Sequence, residues 1–132
     1  MSTNTNLFQA NFPDFEPELA EKIQENGIYK VFKSGEQIMR TGQNIRSTTL
    51  ILSGLLKVYR EDEEGNEFLI YYLQPGNACA LSMVCATKQE TSQVLVKAVT
   101  DSDVLMVPLE FMDKWMAQYK SWYQFVVETY RS

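Results

Sequence analysis

The residues that could carry chemistry in this sequence are few, and they exclude several kinds of site. The chain contains no histidine, which removes the usual zinc, non-haem iron and copper sites and every Ser-His or Cys-His nucleophile pair. Its two cysteines, Cys79 and Cys85, have a C-x5-C spacing that is neither that of a thioredoxin-like site nor that of a usual zinc knuckle. They could form a redox-responsive or metal-responsive pair, or they could pack in the core, where free cysteines are most often found. We expect no catalytic residue, no cofactor and no bound metal.

Aromatic residues on neighbouring strands are the second feature of chemical interest. Strand alternation sends Tyr71 to one face of its strand, and Ile70 together with Tyr72 to the other. A tyrosine ring in such a place could stack on a ligand. The alternative is that it packs in the core, as aromatic residues on strands more often do.

The composition is that of one ordinary globular domain. The chain has 132 residues, of which 45% are hydrophobic and 22% are charged, and no apolar run approaches the roughly 20 residues of a membrane span. The N-terminus lacks the pattern of a signal peptide, so we expect a cytoplasmic protein. A net charge of −5 repels phosphate backbones, so these residues alone should bind nucleic acid poorly.

Three successive strands organise the elements that would position these residues. The predicted strands are Thr48–Ser53, Leu55–Glu61 and Glu67–Leu73, with Gly54 and Gly65 at the turns, because glycine takes the positive φ that a tight turn demands. Polar and Gly-containing segments between apolar runs are typical of a β-meander.

The remaining chain predicts further short strands between helices. Met1–Asn6 is predicted to be disordered, and a helix is predicted to begin at Pro17 and end at Asn26. Residues 81–87 have the spacing of a short helix. The other predicted elements are strands Ile28–Phe32, Gln37–Arg40, Gln93–Val99 and Asp103–Pro108, a helix over Leu109–Tyr119 and a helix opened by a capping box at Ser121–Gln124. Short strands at such close intervals favour a sandwich or barrel.

The last helix carries an apolar face that ends in mid-pattern. Its residues Trp122, Phe125, Val126 and Tyr130 fall on roughly one side, so this face could pair with a second subunit or fold back onto its own. Because no terminating Gly or Pro precedes Ser132, the pattern predicts that the natural protein continues.

Four glycine-containing segments resemble the cyclic-nucleotide-binding domain of the Crp/Fnr family of bacterial transcription regulators. The segments are Phe32–Glu36, Arg40–Gln43, Leu50–Tyr59 and Leu73–Asn77. Four glycines in this register, together with the Leu-Ser-Gly hairpin, form a fairly specific signal, and the resemblance spans about residues 15 to 132.

The resemblance implies a mainly β fold, a double-stranded β-helix (jelly roll) flanked by N-terminal and C-terminal α-helices. It divides the chain into a lead-in (1–14), the jelly-roll domain (15–120) and the start of a dimerisation helix (121–132). We therefore expect a homodimer formed through the C-terminal helix, with a seam of Trp122, Phe125, Val126 and Tyr130. Binding to DNA is expected only through a helix-turn-helix domain after residue 132, and no membrane partner is expected.

The resemblance also locates an effector pocket and indicates what it does not bind. The candidate pocket residues are Ile70, Tyr71, Ala80, Leu81, Ser82, Ser92 and Gln93. In members that bind cyclic AMP, a Glu holds the ribose and an Arg-Ser pair holds the phosphate. Here Leu81 replaces the Glu, and Ser92-Gln93 stands near the position of the pair. Because burying a phosphate without its cation costs several kcal/mol, we expect a small-molecule effector other than cyclic AMP or cyclic GMP.

Two other functions remain open on the sequence. One is a ligand-free structural module in which dimerisation alone is the function, because Leu81 and its apolar neighbours could fill the pocket themselves. The other is a cupin-type jelly-roll enzyme. The absence of histidine disfavours this second alternative, because the usual cupin metal site takes histidines.

Overall fold

The computed structural model describes the backbone of residues 3–79 and 94–131, and the side chains of residues 7–79 and 94–129. The helices within these ranges are α1 (Thr3–Asn11), α2 (Pro17–Asn26), α3 (Leu109–Gln118) and α4 (Lys120–Arg131). The strands are β1 (Ile28–Phe32), β2 (Gln37–Met39), β3 (Ser47–Ser53), β4 (Leu56–Glu61), β5 (Glu67–Leu73), β6 (Leu95–Ala98) and β7 (Ser102–Pro108).

The strands form two antiparallel sheets. One has three strands in the order β1-β7-β3, and the other has four in the order β2-β6-β4-β5. Apolar side chains from both sheets meet between them, and we call this cluster the roll interior. Its members are Met39, Ile45, Ile51, Leu56, Val58, Leu73, Cys79, Val94, Val96, Ala98 and Val104. The predicted mainly β roll with flanking helices is confirmed.

The helices cover the other face of the three-stranded sheet. Because side chains alternate along β3, Ile51 lies in the roll interior, whereas its neighbours Leu50 and Leu52 lie on the helical side. Six large rings from α1, α3, α4 and the chain between α1 and α2 fill this side, and we call them the aromatic cluster. Its members are Phe8, Phe12, Phe15, Trp115, Trp122 and Phe125.

The first helix is the largest departure from the sequence prediction. Disorder over Met1–Asn6 is wrong for residues 3–6, because α1 begins at Thr3. Tertiary packing supports this helix where its Thr-rich and Asn-rich sequence does not. Phe8 is buried, and the side-chain amide of Asn11 donates to the backbone oxygen of Leu52 at 2.9 Å.

The meander is confirmed to within one residue at each strand end. Gly54 and Gly65 have the positive φ values expected at its corners, +91° and +86°. Helix α2 has the predicted bounds. The predicted strand Gln93–Val99 is observed as Leu95–Ala98, with Gln93 outside the described residues, and the helix predicted over 81–87 also lies outside them.

The start of α4 differs from the predicted capping box. The helix begins at Lys120, so Ser121 lies inside its first turn and is not its cap. The Ser121 hydroxyl instead donates to the carboxylate of Glu16. This hydrogen bond joins α4 to the chain that connects α1 with α2.

The apolar face of α4 packs within its own chain. Trp122 and Val126 are 0% and 3% exposed, and the ring centroid of Phe125 lies 5.2 Å from that of Phe15. Trp122 and Val126 therefore pack as the fold-back alternative describes, whereas the dimer seam stays a prediction for Phe125, which is half-buried, and for Tyr130, whose side chain lies outside the described residues. The sequence could not decide this point, because an amphipathic pattern does not specify which surface covers it.

Candidate effector cavity

A cavity of about 1120 Å³ lies between α4, β5 and the link that joins α1 to α2. We call this link, residues 12–16, the α1–α2 link. The described lining residues are Asn11, Phe12, Pro13, Asp14, Phe15, Ile70, Tyr71, Tyr72, Leu73, Gly76, Asn77, Ala78, Ser121, Gln124, Phe125, Glu128 and Thr129. Three segments distant in sequence therefore form one concave surface, which is the usual form of a small-molecule site.

The β5 wall of the cavity is apolar and is shaped by an irregular pairing. Val58 of β4 pairs with Tyr71, but the next residue of β4, Tyr59, pairs with Leu69, so Ile70 is an extra residue in β5. Such a bulge turns side chains away from regular alternation. Ile70 and Tyr72 are 40% and 48% exposed, on a strand at the edge of its sheet.

Tyr71 and Cys79 meet where the cavity borders the roll interior. The Tyr71 hydroxyl lies 3.5 Å from the sulfur of Cys79, which is 2% exposed. Cys79 packs with the roll interior, as the core alternative describes. Cys85 lies outside the described residues, so a redox pair of Cys79 and Cys85 stays a prediction.

Several hydrogen-bond donors of the cavity wall are directed into the protein. The Asn11 amide donates to Leu7 O and Leu52 O, at 2.9 Å each. The Thr129 hydroxyl donates to the backbone oxygen of Phe125 at 2.9 Å, and the Ser121 hydroxyl donates to Glu16. The backbone N–H of Gly76 donates to Ile51 O at 2.9 Å. These groups therefore present mainly hydrogen-bond acceptors to the cavity.

The described charges of the cavity wall are negative. Asp14 and Glu128 contribute carboxylates, and the described lining includes no Lys or Arg. A wall of this kind disfavours a phosphate, which is held in proteins by guanidinium or ammonium groups or by free backbone N–H groups.

Lys97, the described cation nearest in sequence to the expected phosphate site, lies on the outer face of the four-stranded sheet. Its neighbours Val96 and Ala98 point into the roll interior, so alternation turns Lys97 outward. Its ammonium lies 2.8 Å from a Glu67 oxygen and 4.9 Å from the centroid of the Tyr59 ring.

Ion pairing fixes the charge states of this outer cluster. Lys57 binds the other Glu67 oxygen at 2.5 Å, and hydrogen bonds from Lys57 and then Lys97 hold the pKa of Glu67 below its ordinary value of 4.5. The hydrogen bond to Glu67 raises the pKa of Lys97 above its ordinary value of 10.5. Lys97 is therefore charged but already paired, on the face away from the roll interior.

The structure brings together only part of the predicted pocket. Ile70 and Tyr71 line the cavity, whereas Ala80, Leu81, Ser82, Ser92 and Gln93 lie outside the described residues. The sequence did not predict the two other walls of the cavity, which are formed by the α1–α2 link and by one side of α4. The link carries Pro13 and Asp14, which the sequence reading assigned to a lead-in.

The fold and the sequence together define the family of this chain. The paired antiparallel sheets with a helical layer define a mainly β domain of jelly-roll type. The sequence matches the cyclic nucleotide-binding domain family over residues 29–119, and the chain belongs to this family. A comparison with curated proteins found no match.

Solved structures with the same fold include bacterial transcription regulators. A Eubacterium rectale protein, provisionally described as a transcriptional regulator of the Crp/Fnr family, is 25% identical with a TM-score of 0.74 over 91% of this chain and 57% of its own. The sensor domain of the transcriptional regulator DNR from Pseudomonas aeruginosa is 16% identical, with a TM-score of 0.76 over 93% of this chain and 83% of its own. The predicted resemblance to Crp/Fnr regulators is confirmed.

The Thermus thermophilus Catabolite Activator Protein shares the fold at 18% identity, with a TM-score of 0.67 over 86% of this chain. This chain spans only 50% of that protein and 57% of the Eubacterium protein. In the described part of the chain, no helix is long and apolar enough to cross a membrane.

Proposed function

We propose that this chain is the effector-sensing and dimerisation domain of a Crp/Fnr-type transcription regulator that does not respond to cyclic AMP or cyclic GMP. The full protein would bind DNA through a helix-turn-helix domain after residue 132 and would act in the cytoplasm. The family match and the regulators that share the fold support the regulatory role over an enzymatic one.

One observation carries the negative part of this proposal: the outward position of Lys97. The sequence between Arg60 and Arg131 contains no Arg, and Lys97 is held by Glu67 on the outer face of the sheet. The cavity wall adds the carboxylates of Asp14 and Glu128. An anionic effector would meet repulsion there and no described cation.

The cavity favours effector binding over the alternative of a ligand-free structural module. About 1120 Å³ of open volume lies beside α4, which supports the binding of a ligand there, whereas the pocket that Leu81 would fill lies outside the described residues. A ligand in that volume would touch α4 directly. It could thus shift α4 between two positions, provided that it binds one of them more tightly.

Isothermal titration calorimetry with cyclic AMP and cyclic GMP tests the choice of effector. We expect no heat of binding with either nucleotide at millimolar concentration. Micromolar binding of either one would contradict the proposal, because it would require a phosphate partner that no described residue of the wall provides.

Dimerisation through α4 would use the side of the helix that faces away from its own chain. Tyr123 is 50% exposed on this side, and Val127, one helical turn later, is only half-buried. We expect Tyr123→Lys to shift the protein toward monomer in sedimentation velocity. Ile28→Lys is the matched control, because Ile28 is 56% exposed on β1, in a different element. An unchanged dimer in Tyr123→Lys, or a monomeric wild type, would contradict this interface.

A further inference from the structure

The geometry points to the chemical class of the effector: an organic cation with a flat apolar body, bound in the cavity between α4, β5 and the α1–α2 link. This inference rests on the proposed function, since it takes that cavity as the sensing site. It adds the charge and shape of the ligand, which neither the family match nor the related structures specify.

Three hydrogen-bonding groups of the wall present acceptors to a ligand, beside the amide donors of Asn77 and Gln124. Asn11 uses its amide N–H groups on Leu7 O and Leu52 O, which leaves its side-chain oxygen as an acceptor. The hydroxyls of Ser121 and Thr129 donate to Glu16 and to Phe125 O, so a ligand meets their lone pairs. A ligand whose polar group carries N–H or O–H donors matches these three groups.

The charge of the wall favours a positive ligand. Asp14 is an exposed carboxylate on the lining, and no described lining residue is basic. The whole chain has a net charge of −5, which attracts cations over longer distances.

The apolar surface of the wall favours a flat body on the same ligand. Tyr71 and Tyr72 line one side of the cavity and Phe125 lines another, with Ile70 beside them. Aromatic rings attract a cation over their faces and stack on another ring. A volume of about 1120 Å³ is large enough for a two-ring or three-ring molecule.

A set of three probes with one ring system separates charge from shape. The probes are 1-naphthylmethylammonium (cation), 1-naphthalenemethanol (neutral) and 1-naphthoate (anion), each titrated calorimetrically into the 132-residue chain. We expect the cation to bind most tightly, the alcohol more weakly and the naphthoate least. We also expect added salt to reduce the difference in affinity between the cationic and anionic probes, because salt screens exposed charges.

Two charge variants locate the binding in the cavity. Asp14→Asn should weaken binding of the ammonium probe about two- to fivefold, as expected for one partly exposed ion pair, and should leave the alcohol unchanged. Asp113→Asn is the matched control, since Asp113 is exposed on α3 and does not line the cavity. Gln124→Lys should lower the affinity for the ammonium probe and raise the affinity for naphthoate. Gln118→Lys, outside the cavity, should change neither affinity.

Three results would overturn the assignment of an organic cation. These are naphthoate binding as tightly as the ammonium probe, no detectable binding of any probe, and equal effects of Asp14→Asn and Asp113→Asn. None of them contradicts an effector of another class. The proposed function fails separately, through micromolar binding of a cyclic nucleotide, so the two failures are distinguishable.

Discussion

The roll interior and the aromatic cluster lie on opposite faces of the same three-stranded sheet, yet they are built differently. The roll interior is mostly aliphatic, and it combines the local β4–β5 hairpin with pairings between distant strands, such as β2 with β6. The aromatic cluster packs rings from α1 and the α1–α2 link against Trp122 and Phe125 of α4. Both faces depend on contacts between distant segments, but the first packs aliphatic side chains between two sheets, whereas the second packs rings between helices and the α1–α2 link.

This difference assigns different roles to the two faces. The roll interior fixes the sheets, and a change inside it should affect stability more than the position of any helix. The aromatic cluster fixes α4 and borders the cavity through Phe12, Phe15 and Phe125. A ligand in the cavity therefore acts on the side of the molecule that positions α4.

The largest effect should come from removing the central ring of the aromatic cluster. Trp122 is fully buried and donates from its indole nitrogen to Met112 O at 3.1 Å. We expect Trp122→Ala to lower the free energy of unfolding by about 3–5 kcal/mol, as measured by urea denaturation. It should also increase amide hydrogen exchange in α4. Leu56→Ala in the roll interior should lower stability by about 2–5 kcal/mol while leaving exchange in α4 close to that of the wild type.

Lys120→Ala is the control, because Lys120 is exposed on the same helix and does not line the cavity, and its free energy of unfolding should stay within about 0.5 kcal/mol of the wild type. If Leu56→Ala loosened α4 as much as Trp122→Ala, the two faces would not be separable as described.

The hairpin that joins the two sheets should be nearly as sensitive. A Cβ at Gly54 would lie 2.2 Å from the Ser102 hydroxyl oxygen and 2.5 Å from Asp101 O, whereas a Cβ at Gly65 would meet nothing within 4 Å. Both glycines have positive φ. We expect Gly54→Ala to lower the free energy of unfolding by about 2–5 kcal/mol, because the added Cβ is overpacked and the backbone is strained at positive φ. Gly65→Ala should lower it by about 1–2 kcal/mol, because only the backbone strain applies there. Thermal unfolding measures both, and equal losses would show that the close contact with Ser102 is relieved at little cost.

A smaller change in stability, of opposite sign, is expected in β3 on the helical side of the three-stranded sheet. Thr48 of β3 is fully buried, and its hydroxyl has no hydrogen-bond partner among the described residues. Replacing it with the isosteric valine should raise the free energy of unfolding by about 1 kcal/mol, because an unsatisfied polar group is removed. Thr100→Val, at an exposed position, should have little effect. A loss of stability in Thr48→Val would mean that the hydroxyl is satisfied.

The smallest effect concerns the outer face of the four-stranded sheet and depends on pH. Because the pKa of Glu67 is lowered in the folded state, its contribution to stability is present above its unfolded pKa and is lost as pH falls through the folded value. The difference in Tm between wild type and Glu67→Gln should therefore shrink as pH is lowered below 4.5. At high pH the same cluster weakens as Lys97 loses its proton, above 10.5. Glu110→Gln, an exposed change on α3, should show no comparable trend, and a parallel trend would argue against the paired cluster.

The sequence predicted the roll because its signals are local. Glycines at positive φ and alternating apolar residues define hairpins within a few residues, so the meander and α2 agree closely with the structure. The aromatic cluster could not be predicted in this way. Nothing in the local sequence of Phe12 and Phe15 shows that their partners are Trp122 and Phe125.

The candidate site was predictable only where it belongs to the roll. Ile70 and Tyr71 were identified from strand alternation and the family resemblance. Asp14 and Gln124 were not, because they reach the cavity through the packing of the α1–α2 link against α4. The same packing explains why Trp122 and Val126, assigned to a dimer seam, are covered by their own chain.

The hydrogen bond between Ser121 and Glu16 joins residues 105 positions apart, and it has a consequence for biosynthesis. The N-terminal helices leave the ribosome long before α4 exists, with Phe12 and Phe15 still lacking the rings that cover them. The β4–β5 hairpin can form early, but β1, β2 and β3 must wait for β6 and β7, and the helical side can close only after α4 has emerged. Until then, these exposed rings are a surface that a chaperone could bind.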